Sequence, residues 1–445
     1  MKIVKKVLFL FSLFLVFVAA NALCGGGRDA GADSGGKTRL RYYNMWPNNE
    51  SDTPDPRIVE YNKMYDEFRT ANPDIELEII ADAHEAWATK VKTMMTANDL
   101  TEVFISQPSD CMVYADSGVY YDFTNDLNAD PAWKNSFTAG SLETMSKNGH
   151  VYGISHEGYV EGVFYNQAIF DRYGLTYPKT WEELVNCVKT FKANGVVSFA
   201  VGAKDGWPVS MTTQFLMDRE GGYALFERGC ADRSVSMNAP DYVRAFEKFL
   251  ELVNLGAFSD GVLGASQNDA EDMFMQGRAA MIINGSWMVG DIDAFQGGSF
   301  AKNIHFGNFP AVSGGKGVQD ALCAGYGKAF CMPAKISGKQ REAGLKFIKF
   351  MNNPTASKRF LENVGVLFAS KPSGIDMNKV SPLMKEVVDL SGSVRQTWMA
   401  YGELITPGFY DEMNKIGQQI LLKAVSATQA AEMLERARIE FQINF

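Results

Sequence analysis

The chain has 445 residues, 46% of them hydrophobic and 21% charged, a composition that excludes an intrinsically disordered chain and a polytopic membrane protein. Its length exceeds one ordinary compact core and suits two domains or one large interleaved body. The formal net charge of -9 argues against a nucleic-acid partner, because such binding depends on Lys and Arg side chains that neutralise phosphates.

The amino terminus has the form of an export signal. Lysines precede an apolar run that extends from Val7 to Ala20, and small residues follow it. We predict that residues 1–23 are a signal peptide and that the protein is exported to the cell envelope or periplasm. No later stretch reaches the roughly 20 uninterrupted apolar residues that a membrane-spanning helix needs.

A cysteine follows the apolar run and opens a glycine-rich stretch. Cys24 and the residues up to 36 are typical of a flexible tether between an anchor and a folded body. The position resembles a bacterial lipoprotein site, in which the cysteine is lipidated and becomes the first mature residue, although Leu23 stands where that pattern has a small residue. We expect a lipid on Cys24 to attach the protein to the membrane. Ordinary cleavage after Ala22 is the alternative.

Five further cysteines are scattered through the chain: Cys111, Cys187, Cys230, Cys323 and Cys331. Their odd number and the lack of CxxC spacing fit neither a zinc site nor a dense disulfide framework. Cys323 and Cys331 are close enough in sequence to pair across a short loop. The apolar segments around them favour buried thiols instead.

Strands and amphipathic helices alternate through the first part of the chain. The pattern predicts a strand over residues 40–45 and a helix from Ile58 until Asn72-Pro73 stops it. A strand from residue 75 to 80, a helix through Trp87 and Met94, and a strand over residues 102–106 follow. This β-α-β-α order is typical of a mostly parallel sheet covered by helices.

The middle of the chain has clear helix boundaries. Thr180 and Glu183 form a capping box, which predicts a helix that ends at Gly195. Further predicted elements are a strand over 197–201, helices over 241–253 and 270–276, and strands over 279–284 and 326–332. Helices then dominate, over 339–351, 355–363, 381–390, 410–424 and 429–441. We predict a helical carboxy-terminal region over an α/β body.

Signatures of metal, nucleotide and acyl-transfer chemistry are incomplete. His84-Glu85 begins like the zinc motif HExxH, but Ala88 stands at the second ligand position. His156-Glu157 fails in the same way, and the sequence has no GxxxxGK[ST] or GxSxG motif. We therefore expect no metal and no cofactor, and binding rather than catalysis. Paired carboxylates for glycoside hydrolysis stay open, because only folded geometry identifies them.

Three tryptophans follow predicted strands, each near an amide or carboxylate side chain. They are Trp46 after Asn44, Trp207 after Asp205, and Trp287 after Asn284. Ligands of open α/β folds lie beyond the carboxyl ends of strands, so these residues could share a cleft. An indole can pack on the C–H face of a sugar ring, while carboxylates and amides bind its hydroxyls. The alternative is that each tryptophan packs its loop onto the core.

Three polar residues occupy comparable positions in the first part of the chain. Glu85 begins a helix after a strand, and Ser109 and Asp110 come directly after another strand. We expect these side chains at the same cleft. The alternative is that a carboxylate at a helix start serves only as a cap or a partner of the helix dipole.

Five stretches of the chain form a recognisable set. They are LTEVF (100–104), GHVYGI (149–154), VFYN (163–166), GLTYPKTWEEL (174–184) and FMQGRAAMIINGSW (274–287). Together they resemble the extracellular solute-binding proteins of bacterial ABC importers, in the branch that binds sugars and oligosaccharides. Thr101-Glu102 replaces the Pro-Asp of that family's pattern. The resemblance extends from about residue 37 to the end.

The resemblance implies a two-lobed, periplasmic-binding-protein-like α/β fold that closes on a ligand at an interlobe hinge. Residues 37–157 plus 309–353 would form lobe 1 and residues 158–308 plus 354–445 lobe 2, with crossings near 157, 308 and 353. The implied ligand residues on first-lobe loops are Trp46, Glu85, Ser109, Asp110 and Tyr326. The others are Glu157 and Tyr159 near the first crossing, with Trp207, Trp287 and the region of Tyr410 in the second lobe.

The implied function is delivery of a carbohydrate to an ABC-type permease by a monomer that closes over its ligand. Three alternatives stay open. The first is a binding protein for another small polar solute, such as a polyamine, which needs converging carboxylates, or glycerol phosphate, which needs Arg or helix amino termini. The second is a secreted glycosidase, and the third is a sensory or adhesive lipoprotein that kept the fold.

Overall fold

The computed structural model describes residues 36–48, 55–232 and 235–441, so the predicted signal peptide and Cys24 lie outside the described residues. Its α-helices are α1 (Pro56–Ala71), α2 (His84–Ala97), α3 (Pro108–Tyr114), α4 (Thr124–Ala129), α5 (Pro131–Asn135), α6 (Gln167–Arg172), α7 (Trp181–Ala193), α8 (Trp207–Gly221), α9 (Tyr223–Ala231), α10 (Pro240–Leu255), α11 (Gln267–Met275), α12 (Val289–Ala294), α13 (Gly338–Met351), α14 (Pro354–Asn363), α15 (Pro382–Ser393), α16 (Pro407–Leu421) and α17 (Ala427–Phe441).

The strands are β1 (Thr38–Asn44), β2 (Ile75–Ala81), β3 (Val103–Ser106), β4 (Ser146–Lys147), β5 (His150–Val151), β6 (Ile154–Ser155), β7 (Glu157–Asn166), β8 (Val197–Ala200), β9 (Ala279–Gly285), β10 (Ile304–Gly307), β11 (Leu322–Tyr326), β12 (Ala329–Cys331), β13 (Leu367–Phe368) and β14 (Thr397–Trp398). Strands β4 and β5 form a separate small hairpin. The other strands form two sheets, and the fold is therefore of the mixed α/β class.

The first sheet has the strand order β2-β1-β3-β12-β6. Strand β1 pairs in parallel with β2 and β3, with Thr38 opposite Ile75, whereas β12 is antiparallel to β3 and β6. Helices α1 and α13 pack against it, and buried aromatic residues such as Tyr42, Phe68 and Phe347 fill the core. We call this body the first lobe.

The second sheet surrounds the long strand β7. Its order is β14-β11-β7-β9-β8, and β10 and β13 also pair with β7. One face carries a large core that includes Trp181, Phe215 and Phe249, and the other face carries a smaller core that includes Phe274 and Leu383. We call this body the second lobe. Two separate cores confirm the division into two lobes.

The expectation of a mostly parallel sheet is confirmed for the first part of the chain, where β1 is parallel to β2 and β3. It is wrong for the second sheet, because strand β7 is antiparallel to β9, β10, β11 and β13. The prediction of one strand over residues 326–332 is wrong as well. The segment contains the end of β11, which pairs with β7, and the separate strand β12, which pairs with β3.

The pairing of β11 and β12 also shows where the chain crosses between the sheets. One crossing lies between β6 and β7, close to the residue 157 that we expected. Another lies between β11 and β12 rather than near residue 308, because Phe309 and Ala321 belong to the core of the second lobe. Tyr326 is therefore the last residue of a second-lobe strand and not part of a first-lobe loop.

The last crossing differs from the expectation near residue 353. Helix α14 contributes Ala356 and Phe360 to the core of the first lobe, whereas α15 contributes Leu383 and Met384 to a core of the second. The chain thus passes to the second lobe after α14. The helices that follow pack on the second sheet, as the predicted carboxy-terminal helical region requires.

Local signals in the sequence account for several helix ends. The Thr180–Glu183 capping box is formed at the start of α7, and Gly256 ends α10 with a φ of 74°. The five cysteines of the described residues are free and buried, which confirms the interpretation as buried thiols. Among the described residues, no helix is long and apolar enough to cross a membrane.

Candidate functional site

A row of aromatic rings crosses the boundary between the lobes. Tyr159 on β7 lies 6.4 Å from Trp287, and Trp287 lies 6.2 Å from Trp207, measured between ring centroids. Trp207 in turn lies 6.5 Å from His84, which begins α2 of the first lobe. We call these four residues the ring row. Trp207 and Trp287 are partly exposed, so part of each indole is accessible.

Two glycines position the tryptophans. Gly206 has a φ of 80°, a conformation that favours glycine, and it caps α8 immediately before Trp207. The ring of Trp287 folds back over Gly285, where an added Cβ atom would lie 2.1 Å from Cζ3 of the indole. A side chain at Gly285 would therefore displace the indole from the ring row.

Glu85 and Tyr410 approach the ring row from opposite lobes. Glu85 is exposed near the start of α2, and its Oε1 lies 3.0 Å from Nδ1 of His84. Burial raises the pKa of the Tyr410 phenol, and negative charges that include Glu85 raise it further. The carboxylate of the first lobe is therefore near enough to the phenol of the second lobe to act on it electrostatically.

A hydrogen-bonded network holds the turn Tyr401–Glu403 beside the ring row. Gln214 donates from Nε2 to Glu161 over 2.6 Å, and its Oε1 accepts from the backbone N–H of Tyr401 over 3.0 Å. The hydroxyl of Tyr159 accepts from the N–H of Ala400 over 3.0 Å. These bonds fix the turn, and with it the carboxyl group of Glu403.

Glu161 and Glu403 share an apolar environment in the second lobe. Burial raises the pKa of Glu161 to about 7 and that of Glu403 to about 7. The nearby Lys328 ammonium acts in the opposite direction on Glu403, whereas the Asp110 carboxylate adds to the increase. Both groups are poised to exchange a proton near neutral pH.

Asp110 supplies a carboxyl group from the first lobe. Its side chain is fully buried, and neither oxygen has a hydrogen-bond partner among the described residues. Burial raises the pKa of this carboxyl to about 6. Ser109 is buried beside it. Because a buried acceptor without a donor costs free energy, Asp110 is a strong candidate to accept hydrogen bonds from a ligand.

Lys328 lies on the segment that crosses from β11 to β12. Its Nζ donates to Oε1 of Gln107 over 3.3 Å and lies 5.6 Å from the centroid of the Trp87 ring. Helix α3, which carries Asp110, packs against the turn that carries Glu403. The two carboxyl groups from opposite lobes and this ammonium thus meet at one place.

Three residues proposed from the sequence lie elsewhere, around the crossing between β6 and β7. Trp46 is 8% exposed and packs on Tyr61 at 4.9 Å between centroids. Tyr61 donates from its hydroxyl to Glu157 over 2.7 Å, and Arg57 Nη1 lies 3.7 Å from the same carboxylate. Asn44 accepts from the N–H of Trp46 over 2.8 Å. We call Trp46, Arg57, Tyr61, His156 and Glu157 the hinge cluster.

Three other proposed residues have structural partners. Asn284 is buried and donates to Glu271 over 2.8 Å, and Asp205 accepts from the N–H of Gln267 over 2.7 Å. The ring of Tyr326 packs on the core of the first lobe. These contacts tie loops and strand ends together and hold the segments that carry the tryptophans.

Sequence reasoning missed Glu161, Gln214, Lys328 and Glu403, none of which belongs to a recognisable motif. The signal that could have found Lys328 is a lone charge between two uncharged stretches, Leu322 to Gly327 before it and Ala329 to Met332 after it. Within the described ranges, no group of three or more His, Cys, Asp or Glu residues could hold a metal ion. The residues brought together here are aromatic rings and carboxyl groups, with the Lys328 and Lys92 ammonium groups near Asp110.

The sequence of the chain matches a known protein family. The family model described as bacterial extracellular solute-binding protein matches residues 55–358, more than half of the chain. The chain belongs to this family. The match confirms the resemblance noted in the sequence, and family members are extracellular binding proteins.

Relatives and solved structures agree with this assignment. The multiple sugar-binding protein of Streptococcus mutans is 27% identical over 364 residues, which are 78% of this chain and 78% of the relative. The melibiose/raffinose/stachyose-binding protein MelE of Bacillus subtilis is 22% identical over 442 residues, 97% of this chain and 95% of the relative. A solved chitin oligosaccharide binding protein has a TM-score of 0.81 at 25% identity and covers 90% of this chain and 98% of its own. This solute-binding protein therefore has the two-lobed fold of its family.

Proposed function

We propose that the protein binds a carbohydrate, a mono- or oligosaccharide, between its lobes and delivers it to an ABC-type membrane permease. The observation that carries the proposal is the ring row, because its members come from both lobes and lie near the half-buried carboxyl group of Glu403 and the buried one of Asp110. The sugar ligands named for two relatives and one solved structure support the same ligand class.

The proposed chemistry of recognition uses both faces and edges of a sugar ring. The Trp207 and Trp287 planes are inclined by 65°, so they can pack against two sides of one saccharide unit. Asp110 and Glu403 accept hydrogen bonds from hydroxyl groups, and Tyr410 and Glu85 extend the polar rim. Glu161, Gln214 and Tyr159 keep the Glu403 turn in place.

Delivery depends on a linkage between binding and lobe closure. A ligand that contacts His84 in the first lobe and Trp207 in the second binds the closed state better than the open state. It shifts the equilibrium only by that difference in affinity. The permease then recognises the closed form. We also propose that the protein acts as an exported monomer attached through a lipid on Cys24, and that it releases its sugar unchanged.

The experiment is a thermal-shift and calorimetric screen with raffinose, maltotriose and triacetylchitotriose. A ligand that binds only the native state raises the melting temperature. We expect at least one sugar to raise it, to change tryptophan fluorescence and to decrease the radius of gyration. Trp207→Ala should strongly reduce these effects at the same sugar concentration, whereas Trp133→Phe, a change at a buried tryptophan of the first lobe, should preserve them.

Two outcomes would contradict the proposal. If no member of a broad sugar panel changes the melting temperature, the sugar assignment is wrong. If chromatography finds cleaved sugar after prolonged incubation, the protein is a hydrolase rather than a carrier. Mass spectrometry of the mature amino terminus tests the lipid, since an unmodified terminus at Leu23 would contradict it.

A further inference from the structure

Three charged groups, those of Asp110, Lys328 and Glu403, meet at the boundary between the lobes, where the chain crosses from β11 to β12. Gly327 lies directly against Glu403, because a Cβ atom added there would be 2.8 Å from Glu403 Oε1. The next residue, Lys328, donates to Gln107, whose carbonyl accepts the N–H of Asp110 over 3.1 Å. The lysine therefore stands between a carboxyl group of each lobe.

These carboxyl groups lack the donors that buried acceptors normally have. Asp110 is completely buried, and within the described residues neither oxygen has a partner at hydrogen-bond geometry, although the nearby Gln107 side chain lowers the pKa of the carboxyl against the effect of burial. Over the same residues, the structure shows no hydrogen bond to the Glu403 carboxyl group, although its turn is firmly held. Hydroxyl groups of a bound ligand would satisfy these acceptors and remove the cost of leaving them unpaired.

The surrounding charges favour a ligand without negative charge. Lys328 is one ammonium beside the two carboxyl groups and Lys92 is a second one that acts on Asp110, while Glu161 adds a third carboxyl group behind the turn. Glu85 and Asp411 add negative charge at the rim, where Lys92 partly offsets it. A carboxylate or phosphate placed here would face an excess of negative charge in a partly desolvated space.

We propose that Asp110, Glu403 and Lys328 form a charge-selective subsite that accepts uncharged, hydroxyl-bearing saccharide units and rejects sugars carrying a carboxylate or phosphate. This inference rests on the proposed function, because it assigns a ligand class to the same cleft. The two carboxyl groups bind hydroxyls. Lys328 limits their mutual repulsion, so that both can be brought together when the lobes close.

The experiment compares matched pairs of sugars by isothermal calorimetry at pH 7.5. Each neutral probe that binds, from raffinose, maltotriose and triacetylchitotriose, is measured beside the same sugar oxidised at one C6 hydroxyl to a uronate. We expect the uronate to bind at least about 30-fold more weakly, as expected for like charges in a medium of intermediate dielectric. Glu403→Gln and Asp110→Asn should each narrow that ratio by about tenfold. Lys328→Met should widen it.

The matched control is Glu182→Gln, which removes the same charge from the exposed first turn of α7. It should leave the ratio unchanged. Melting temperatures establish that each variant is folded. If Glu403→Gln does not fold, Asp110→Asn provides the test.

Three outcomes would overturn the proposal. Equal binding of neutral and anionic probes would overturn the charge selectivity alone and leave the sugar-binding function intact. A ratio unchanged in both folded carboxamide variants would remove these residues as its cause. If neither member of any pair binds, the proposed function fails, and the subsite fails with it.

Discussion

The ring row and the hinge cluster both contain tryptophan, tyrosine and histidine, both have carboxyl groups within or beside them, and both join the lobes, yet they differ in how those carboxyl groups are paired. In the hinge cluster, Glu157 accepts a hydrogen bond from Tyr61 and lies opposite Arg57. Beside the ring row, Asp110 and Glu403 have no hydrogen-bond donors among the described residues. The hinge cluster has unpartnered polar atoms too, on Trp46, Arg57 and His156 within the described residues, so the two clusters differ in whether their carboxyl groups are paired. We call the groups beside the ring row the unfilled site for that reason.

The difference teaches where function can be sought in such a molecule. Burial of Trp46 against Tyr61 stabilises the fold in every state, because no ligand is needed to complete the packing. The partly exposed indoles of Trp207 and Trp287 gain contacts only when something enters the cleft. A tryptophan therefore indicates a sugar-binding site only when its ring is partly exposed and carboxyl groups without hydrogen-bond donors lie near it.

The largest expected effect separates the two clusters through their tryptophans. Trp46→Ala should lower the free energy of unfolding by about 3–5 kcal/mol, because it leaves a cavity in the hinge cluster. Trp207→Ala should lower it by only about 1 kcal/mol while weakening sugar binding roughly 30-fold. Urea unfolding and calorimetric titration measure both quantities. If Trp46→Ala keeps its stability but loses sugar binding, Trp46 contacts the ligand and belongs to the site.

A second prediction concerns the ion pair of the hinge cluster. Arg57→Met leaves Glu157 buried without its positive neighbour and should cost about 3 kcal/mol of stability. Combining it with Glu157→Gln should recover part of that loss, since the double variant no longer buries the Glu157 charge. The loss of the ion pair between Arg57 and Asp55 is common to both variants. The matched control is Arg39→Met, whose exposed partner Glu78 makes the expected loss less than about 1 kcal/mol. If Arg39→Met and Arg57→Met lose the same amount of stability, the ion pair of Arg57 and Glu157 is not a buried one.

Local structure could be predicted well from the sequence, because its causes are local. The Thr180–Glu183 capping box and the glycine that ends α10 determine helix boundaries within a few residues. Strand partners could not be predicted, because an apolar run does not specify which sheet it joins. Residues 326–332 read as one strand although the break at Gly327-Lys328 sends its two halves to different lobes.

The candidate site was predictable in part for a similar reason. Trp207, Trp287 and Tyr159 end up in one row because each lies on or directly after a strand of the second sheet. Trp46 fits the same local description but faces Tyr61 instead, and only the position of α1 decides this. Glu403 lies in a turn that distant residues hold, so nothing near it in sequence indicates its role.

The smallest expected effect is the pH dependence of stability that Glu403, a carboxyl group of the unfilled site, produces. The pKa of Glu403 is raised to about 7, mainly by burial, so the folded protein keeps a proton that the unfolded chain loses above its ordinary value of 4.5. The contribution of Glu403 to stability is therefore full at low pH and falls as the pH rises toward 7.

Glu403→Gln has no such proton to lose. It should match the native protein below pH 5 and exceed its stability by about 1 kcal/mol at pH 8, a value reduced from the full shift because the side chain is partly exposed. Melting temperatures across pH 5 to 8 measure the difference. A constant difference at all pH values would mean that Glu403 is ionised and already paired. The expected profile would mean instead that the native protein gives up stability to keep an acceptor ready for its ligand.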